Sequence, residues 1–171
     1  MFHDWDSFYL LIGSAAAALI GLLFVVATLT SSLETESAAT GASVFMTPTV
    51  FHFAVVLVLS AMALTPGMTP TLACAAVGAA ALIGLIYSAV VSWTIHRGKV
   101  PTTPHWSDLW CYGVTPAAIY LALGAAAAGL CARTADAPLA LGALLTALLL
   151  VGVRNAWDLV TYLAPRRKTD G

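Results

Sequence analysis

Residues 8–26 read FYLLIGSAAAALIGLLFVV, a stretch without a single charged side chain. A segment of this length and composition is suited to the hydrocarbon core of a bilayer, which takes roughly 20 helical residues to cross. Because backbone groups in lipid have to bond within their own segment or in a closed barrel, an isolated apolar stretch of this kind forms a helix. The sequence therefore predicts a transmembrane helix here.

The composition of the whole chain agrees with this prediction. Of 171 residues, 60% are hydrophobic and 9% are charged, and the mean hydropathy is +0.92. A soluble domain carries charge on about a quarter of its residues. Seven Lys and Arg against eight Asp and Glu leave no basic surface of the kind that nucleic-acid binding requires. We expect the lipid bilayer as the surroundings of this chain and no nucleic-acid partner.

Five segments are long and apolar enough to cross a bilayer. They lie near residues 8–30, 48–66, 71–95, 112–132 and 138–163. The second segment is predicted to start at Pro48, because a proline in the first helical turn loses no hydrogen bond. A four-span alternative, in which this second segment dips into the membrane and returns, stays open. The prediction is one all-α membrane domain, a polytopic helix bundle.

The distribution of Lys and Arg predicts the orientation, since short cytoplasmic loops accumulate these residues. With five spans and an external N-terminus, the cytoplasm receives Arg97, Lys99 and the basic tail 164–171, and the outside receives only Arg133. The loop 31–47 also falls inside and has no basic residue, which weighs against the assignment. We expect an integral protein of a bacterial inner membrane.

Three polar residues, Arg154, Asn155 and Asp158, interrupt the fifth segment. Counting back from Arg166 at the helical rise places Arg154 about 18 Å deep and Asp158 about 12 Å deep. Ionisable groups in a bilayer usually face a bundle interior or a wet cavity. Three interpretations stay open: side chains that reach the headgroups, a structural ion pair between helices, and a functional site.

The predicted orientation puts His52, His96 and Tyr112 in the same cytoplasmic half as these three residues. Together the six predict a polar pocket open to the cytoplasm, below outer halves made of Ala, Leu, Val and Gly. A lone histidine such as His52 more often bonds to a neighbouring helix than binds a ligand. Haem ligation would require His96 or another axial ligand at a matching depth.

Two further sets of residues have a predicted role. Glu34 and Glu36 follow the first span and would attract cations at a pore mouth if repeated around an oligomer, although such a stretch is more often just a solvated loop. Small residues four apart let helix backbones approach closely in lipid. The stripes expected to pack in this way contain Gly13, Ala17 and Gly21 in the first span and Ala80, Gly84 and Ser88 in the third.

The cysteines and the known motifs indicate no catalytic chemistry. Cys74, Cys111 and Cys131 form no CxxC pair, so we expect small apolar residues rather than a disulfide or a metal site. The chain has no GxSxG, no HExxH and no glycine-rich phosphate loop. We expect no enzyme activity, no metal and no cofactor.

Three functional hypotheses follow. The leading one is a homo-oligomeric ion channel or small-solute transporter that uses the polar cytoplasmic pocket. The second is a non-catalytic membrane scaffold or accessory subunit that binds another membrane protein. The third is a haem or redox membrane protein that uses His52.

Overall fold

The structure is a computed structural model that describes residues 2–30, 36–97 and 109–163. A 3₁₀ turn, His3–Trp5, leads into the first helix, and a π-helical turn, Trp110–Val114, leads into the fourth. The long helices are α1 (Asp6–Thr30), α2 (Glu36–Ala63), α3 (Pro70–His96), α4 (Thr115–Cys131) and α5 (Ala137–Leu163).

Each of the five helices is long and apolar enough to cross a membrane, α4 being taken together with the π-helical turn. The residues that the structure describes form helices and turns and no strand. This confirms the all-α class and the prediction of an integral membrane protein. Helix α2 is continuous from Glu36 to Ala63, and the choice between five and four spans stays a prediction.

The start of α2 differs from the prediction. The helix begins at Glu36, so Pro48 lies inside it and not in its first turn. A proline inside a helix removes one backbone hydrogen bond and crowds the preceding turn, but helices packed among neighbours in a membrane tolerate it. Pro48 and the adjacent Thr49 are both buried. Tertiary contacts therefore keep the helix intact across the proline.

Helices α3 and α4 pack as an antiparallel pair. Gly84 of α3 lies so close to the ring of Tyr120 in α4 that a Cβ atom there would overlap the ring. Two turns further along α3, Ser92 lies equally close to Gly113 in the π-helical turn. Glycine on one helix facing a larger side chain on the other lets the two backbones approach closely.

The far end of this helix pair contains a disulfide between Cys74 and Cys131, whose Cα atoms are 5.4 Å apart. The prediction that these two cysteines are unpaired apolar residues is wrong, because the antiparallel pairing of α3 and α4 brings together residues 57 apart in sequence. Cys111 is a free, half-buried thiol. We call this end of the bundle the disulfide end. The tail end is the opposite one, with the last turns of α3 and α5 and the π-helical turn.

Helices α2 and α5 form the centre of the bundle, since α2 contacts α1, α3 and α5, and α5 also contacts α1 and α4. The core between them is apolar. Its fully buried members include Val56, Leu123, Leu141, Leu145 and Leu148. Near the disulfide end, the Tyr9 hydroxyl of α1 donates a 2.7 Å hydrogen bond to the Pro138 carbonyl at the start of α5.

The small-residue stripe of α1 is used only in part. Gly13 lies against α2, where a Cβ atom would be 3.0 Å from Cβ of Ser60. Ala17 and Gly21 are exposed, and no atom lies within 4 Å of the position of a Cβ at Gly21. In the α3 stripe, Gly84 and Ser88 are buried and Ala80 is half-buried. Gly13 of the first stripe, and Gly84 and Ser88 of the second, thus face a neighbouring helix.

Candidate functional site

Asn155 links α5 to the π-helical turn at the tail end. Its side chain is fully buried. Nδ2 donates a 3.1 Å hydrogen bond to the Cys111 carbonyl, and the Tyr112 hydroxyl donates a 3.0 Å bond to the Asn155 carbonyl. One bond uses the side-chain amide of Asn155 and the other its backbone carbonyl, and together they fix the relative position of the two segments.

The Cys111 carbonyl needs a donor because of the local sequence. In the π-helical turn the backbone N–H of Thr115 donates to the carbonyl of Trp110, five residues earlier. The same spacing would pair Cys111 with residue 116, which is Pro116 and has no N–H. The side-chain amide of Asn155 supplies the donor that the proline lacks. The asparagine and the proline therefore act as one structural unit.

Arg154 and Asp158 form an ion pair on α5, with 2.9 Å between Nη2 and Oδ2. Nη1 of Arg154 also donates a long 3.4 Å hydrogen bond to Oδ1 of Asn155. Their side chains remain 41% and 40% exposed, respectively. The pair is thus neutral as a unit, anchored on one side to the buried asparagine and open on the other.

Contacts with the neighbouring helices show where the Arg154–Asp158 pair lies along the axis of the bundle. Asn155 is level with Cys111, and Tyr112 packs against Ile95 of α3. Three tryptophans near this level are exposed, Trp93 at 55%, Trp110 at 54% and Trp157 at 69%. This is the level of the last turns of α3, and not a position far inside the bundle. The depth of the pair in a membrane stays a prediction.

His52 lies at a different level. Its ring is fully buried between α2 and α4, with Nδ1 2.9 Å from the Tyr120 hydroxyl oxygen. Among the described residues Nε2 has no hydrogen-bond partner. Tyr120 is eight residues from Tyr112, so about 12 Å along the helix separates this contact from Asn155. The buried ring of Phe53, the next residue on α2, packs against Gly152 of α5.

The predicted pocket is therefore divided. Arg154, Asn155, Asp158 and Tyr112 come together at the tail end, and His52 does not join them. His96 is exposed at the last residue of α3, so it does not face His52 as a second haem ligand would.

The predicted pore mouth lies largely outside the part of the chain that the structure describes. Glu34 is outside the described residues, and of Glu36 only the backbone, at the first position of α2, is described. A pore mouth formed by these two residues stays a prediction.

Three residues that matter here were missed in the sequence. Tyr120 reaches His52 from another helix, and no spacing within either segment indicates that pairing. Cys111 takes part through its backbone, which carries no residue-type signal. Pro116 could have been found from the sequence, since a proline inside an apolar segment leaves a carbonyl one turn earlier without a donor.

Within residues 2–30, 36–97 and 109–163, no three His, Cys, Asp or Glu side chains come close enough to hold a metal ion. What the tail end offers chemically is hydrogen bonding and a paired charge. No family model, curated protein or solved structure matches the chain. The functional argument therefore depends on this geometry alone.

Proposed function

We propose that the protein is a non-catalytic integral membrane subunit, which binds another membrane protein through the tail end of α5. One observation carries the proposal: the buried polar side chains of the described bundle are used to bond neighbouring segments to one another. Asn155 and His52 each bond to a neighbouring helix. These side chains thus hold the bundle together, and the Arg154–Asp158 pair is left as the outward-facing polar feature.

The orientation is part of the proposal. We place the disulfide end outside and the tail end in the cytoplasm. Disulfides persist on oxidising sides of membranes, and Cys74–Cys131 lies at the end that the distribution of Lys and Arg assigns to the outside. The two arguments use different residues and agree. A bacterial inner membrane, with an oxidising periplasm on one side, fits both.

Reporter fusions test this orientation. Green fluorescent protein fused after Gly171 should fluoresce, and alkaline phosphatase fused there should be inactive, because phosphatase folds only where disulfides form. A fusion of phosphatase after Arg133 should be active. The reverse pattern would overturn the orientation.

In this orientation the exposed tryptophans form an aromatic belt at the cytoplasmic interface, where such residues concentrate. Arg154 and Asp158 then lie at headgroup level and not deep in hydrocarbon. An exposed ion pair contributes only about 0.2–1 kcal/mol to stability, so replacing it should leave the fold intact. A partner contact through the pair can therefore be tested without unfolding the bundle.

Purification from native membranes in mild detergent provides that test. The proposal predicts a partner at a fixed ratio to this chain, and its recovery should fall at least about tenfold in Arg154→Ala or Asp158→Asn, a loss typical of an interface charge pair. The matched control is Leu82→Ala, since Leu82 is an exposed residue of α3. Failure to recover any partner at a fixed ratio, or equal recovery in all variants, would contradict the proposal.

A homo-oligomeric channel or small-solute transporter is the second candidate, favoured by the same half-exposed ion pair. Such a path would run between subunits, because buried apolar side chains fill the interior of the described bundle. Purified protein in liposomes should then support ion flux that Asp158→Asn changes and Leu82→Ala does not. Absence of flux for cations, anions and protons would exclude this candidate.

A further inference from the structure

The disulfide between Cys74 and Cys131 has one exposed end. Cys131 is exposed as the last residue of α4, whereas Cys74 is half-buried about one turn inside α3. Residues 131–136 are all exposed, and they form the turn that leads into α5. This turn includes the charged residues Arg133 and Asp136, which favour contact with water. A thiol that approaches from water therefore meets Cys131 first.

The positions of the two cysteines in their helices also differ. Thiol–disulfide exchange requires attack on one sulfur and departure of the other as a thiolate. Cys74 follows directly after the first turn of α3, and Cys131 ends α4. The N-terminus of a helix stabilises a negative charge, and the C-terminus disfavours one. Attack at Cys131 with departure of Cys74 thus leaves the thiolate at the more favourable of the two positions.

Helices α3 and α4 are also joined at points away from the disulfide. Gly84 lies against the ring of Tyr120, and Gly113 in the π-helical turn lies against Ser92. These contacts are about 15 Å and 27 Å along α3 from Cys74. The disulfide can therefore open and close again without separation of the two helices.

The turn after Cys131 holds a cation in an unusual backbone conformation. Arg133 has a φ of 58°, in the left-handed region where glycine is the usual residue after a helix. The N–H and the hydroxyl of Thr134 donate hydrogen bonds of 3.0 and 3.3 Å to the Gly129 carbonyl and close the turn. Among the described residues Arg133 forms no ion pair. Backbone strain of this kind concentrates at functional positions, and an unpaired cation close in sequence to Cys131 attracts anionic thiols.

We propose that the Cys74–Cys131 disulfide is a site of thiol–disulfide exchange with a small anionic thiol. The thiolate attacks Sγ of Cys131, the bond between the two cysteines breaks, and Cys74 leaves as a thiolate. A second thiolate then attacks the bound thiol's sulfur and releases the Cys131 thiolate. The protein disulfide accepts two electrons in this way, and two small thiols are oxidised to one disulfide.

This site lies at the end of the bundle opposite to the Arg154–Asp158 pair. It does not depend on the proposed function, since exchange in detergent requires neither a partner protein nor an orientation in the membrane.

Mapping of the adduct in the folded protein tests the direction of attack. The probe is 2-mercaptoethanesulfonate, added to the purified full chain in mild detergent, with Cys111→Ala removing the free thiol. After quenching with acid, peptide mass spectrometry should find the adduct on Cys131 at least about tenfold more often than on Cys74, because both access and the leaving group favour that sulfur. The helical circular dichroism signal should stay constant during the reaction. An adduct mainly on Cys74, equal adducts on both, or opening only after the helical signal is lost would overturn the proposal.

The charge of Arg133 is tested separately. Arg133→Gln should slow the reaction with 2-mercaptoethanesulfonate roughly two- to threefold at low ionic strength, the effect of one charge several ångströms away in water. Cysteamine, a cationic thiol, should react faster with this variant than with the unaltered chain. The matched control is Arg97→Gln, an exposed arginine at the tail end, which should leave both rates unchanged. If Arg133→Gln does not slow the anionic thiol, the assignment of an anionic substrate is wrong.

Discussion

Nδ2 of Asn155 donates a 3.1 Å hydrogen bond to the backbone carbonyl of Cys111, across the contact between α5 and the π-helical turn. The bond explains why a polar side chain is placed within an apolar helix. It satisfies a carbonyl that Pro116 leaves without a donor, and the asparagine side chain that does so is fully buried. The neighbouring Arg154 and Asp158 remain outside this contact, half exposed.

Replacing Asn155 by leucine should destabilise the bundle. The Cys111 carbonyl would be left buried and unpaired, and we expect the free energy of unfolding to fall by about 1–2 kcal/mol. Unfolding in detergent micelles, followed by circular dichroism, measures this change. Val153→Leu, on the exposed side of the same turn, is the control. Equal midpoints for the two variants would show that the bond is not stabilising.

The two glycines Gly84 and Gly21 should respond oppositely to alanine. At Gly84 the added methyl group overlaps the ring of Tyr120 and should cost about 1–3 kcal/mol. At Gly21 the methyl group meets open space, and the higher helix propensity of alanine should stabilise the fold by up to about 1 kcal/mol. Thermal unfolding of both variants checks this. A destabilised Gly21→Ala would mean that this face of α1 is covered in the assembled protein.

His52 and Tyr120 should be energetically coupled. His52→Phe and Tyr120→Phe each remove the hydrogen bond between α2 and α4, so the second substitution should cost less once the first has been made. A double-mutant cycle on the free energy of unfolding should give a coupling of about 0.5–1.5 kcal/mol. Additive effects would mean that the contact contributes nothing to stability.

The three cysteines should differ in reactivity. In denatured, unreduced protein only Cys111 should react with a maleimide, and reduction should make Cys74 and Cys131 reactive as well. Mass spectrometry counts the added groups. Cys74→Ser should lower the free energy of unfolding by about 2–4 kcal/mol, and the same protein should then carry two reactive thiols. Three reactive thiols in unreduced wild-type protein would rule out the disulfide.

The fold class could be predicted because it depends on local properties. A run such as 8–26 is apolar over a whole span, and lipid leaves its backbone no alternative to helical hydrogen bonding. The start of α2 could not be predicted from local properties in the same way. Proline ends a helix in water, and only the burial of Pro48 and Thr49 among neighbouring helices shows why this one continues.

The sequence indicated which residues belong to the candidate site, but not how they are arranged. Arg154 and Asp158 pair as their spacing of four residues indicates, since that contact lies within one helix. Whether His52 joined them depended on helix packing, which placed its ring against Tyr120 of α4.

The sequence by itself determined that this chain forms membrane-spanning helices, because burial of backbone groups in lipid is a property of each segment. Tertiary structure alone decided which segments touch. It joined Cys74 to Cys131 by a disulfide and brought His52 to Tyr120, and Asn155 to the Cys111 carbonyl, within hydrogen-bond distance. It left the Arg154–Asp158 ion pair half exposed at the surface. Which residues meet depends on how side chains from different helices fit together, as the ring of Tyr120 does against Gly84. The spacing of residues along one helix does not determine that fit.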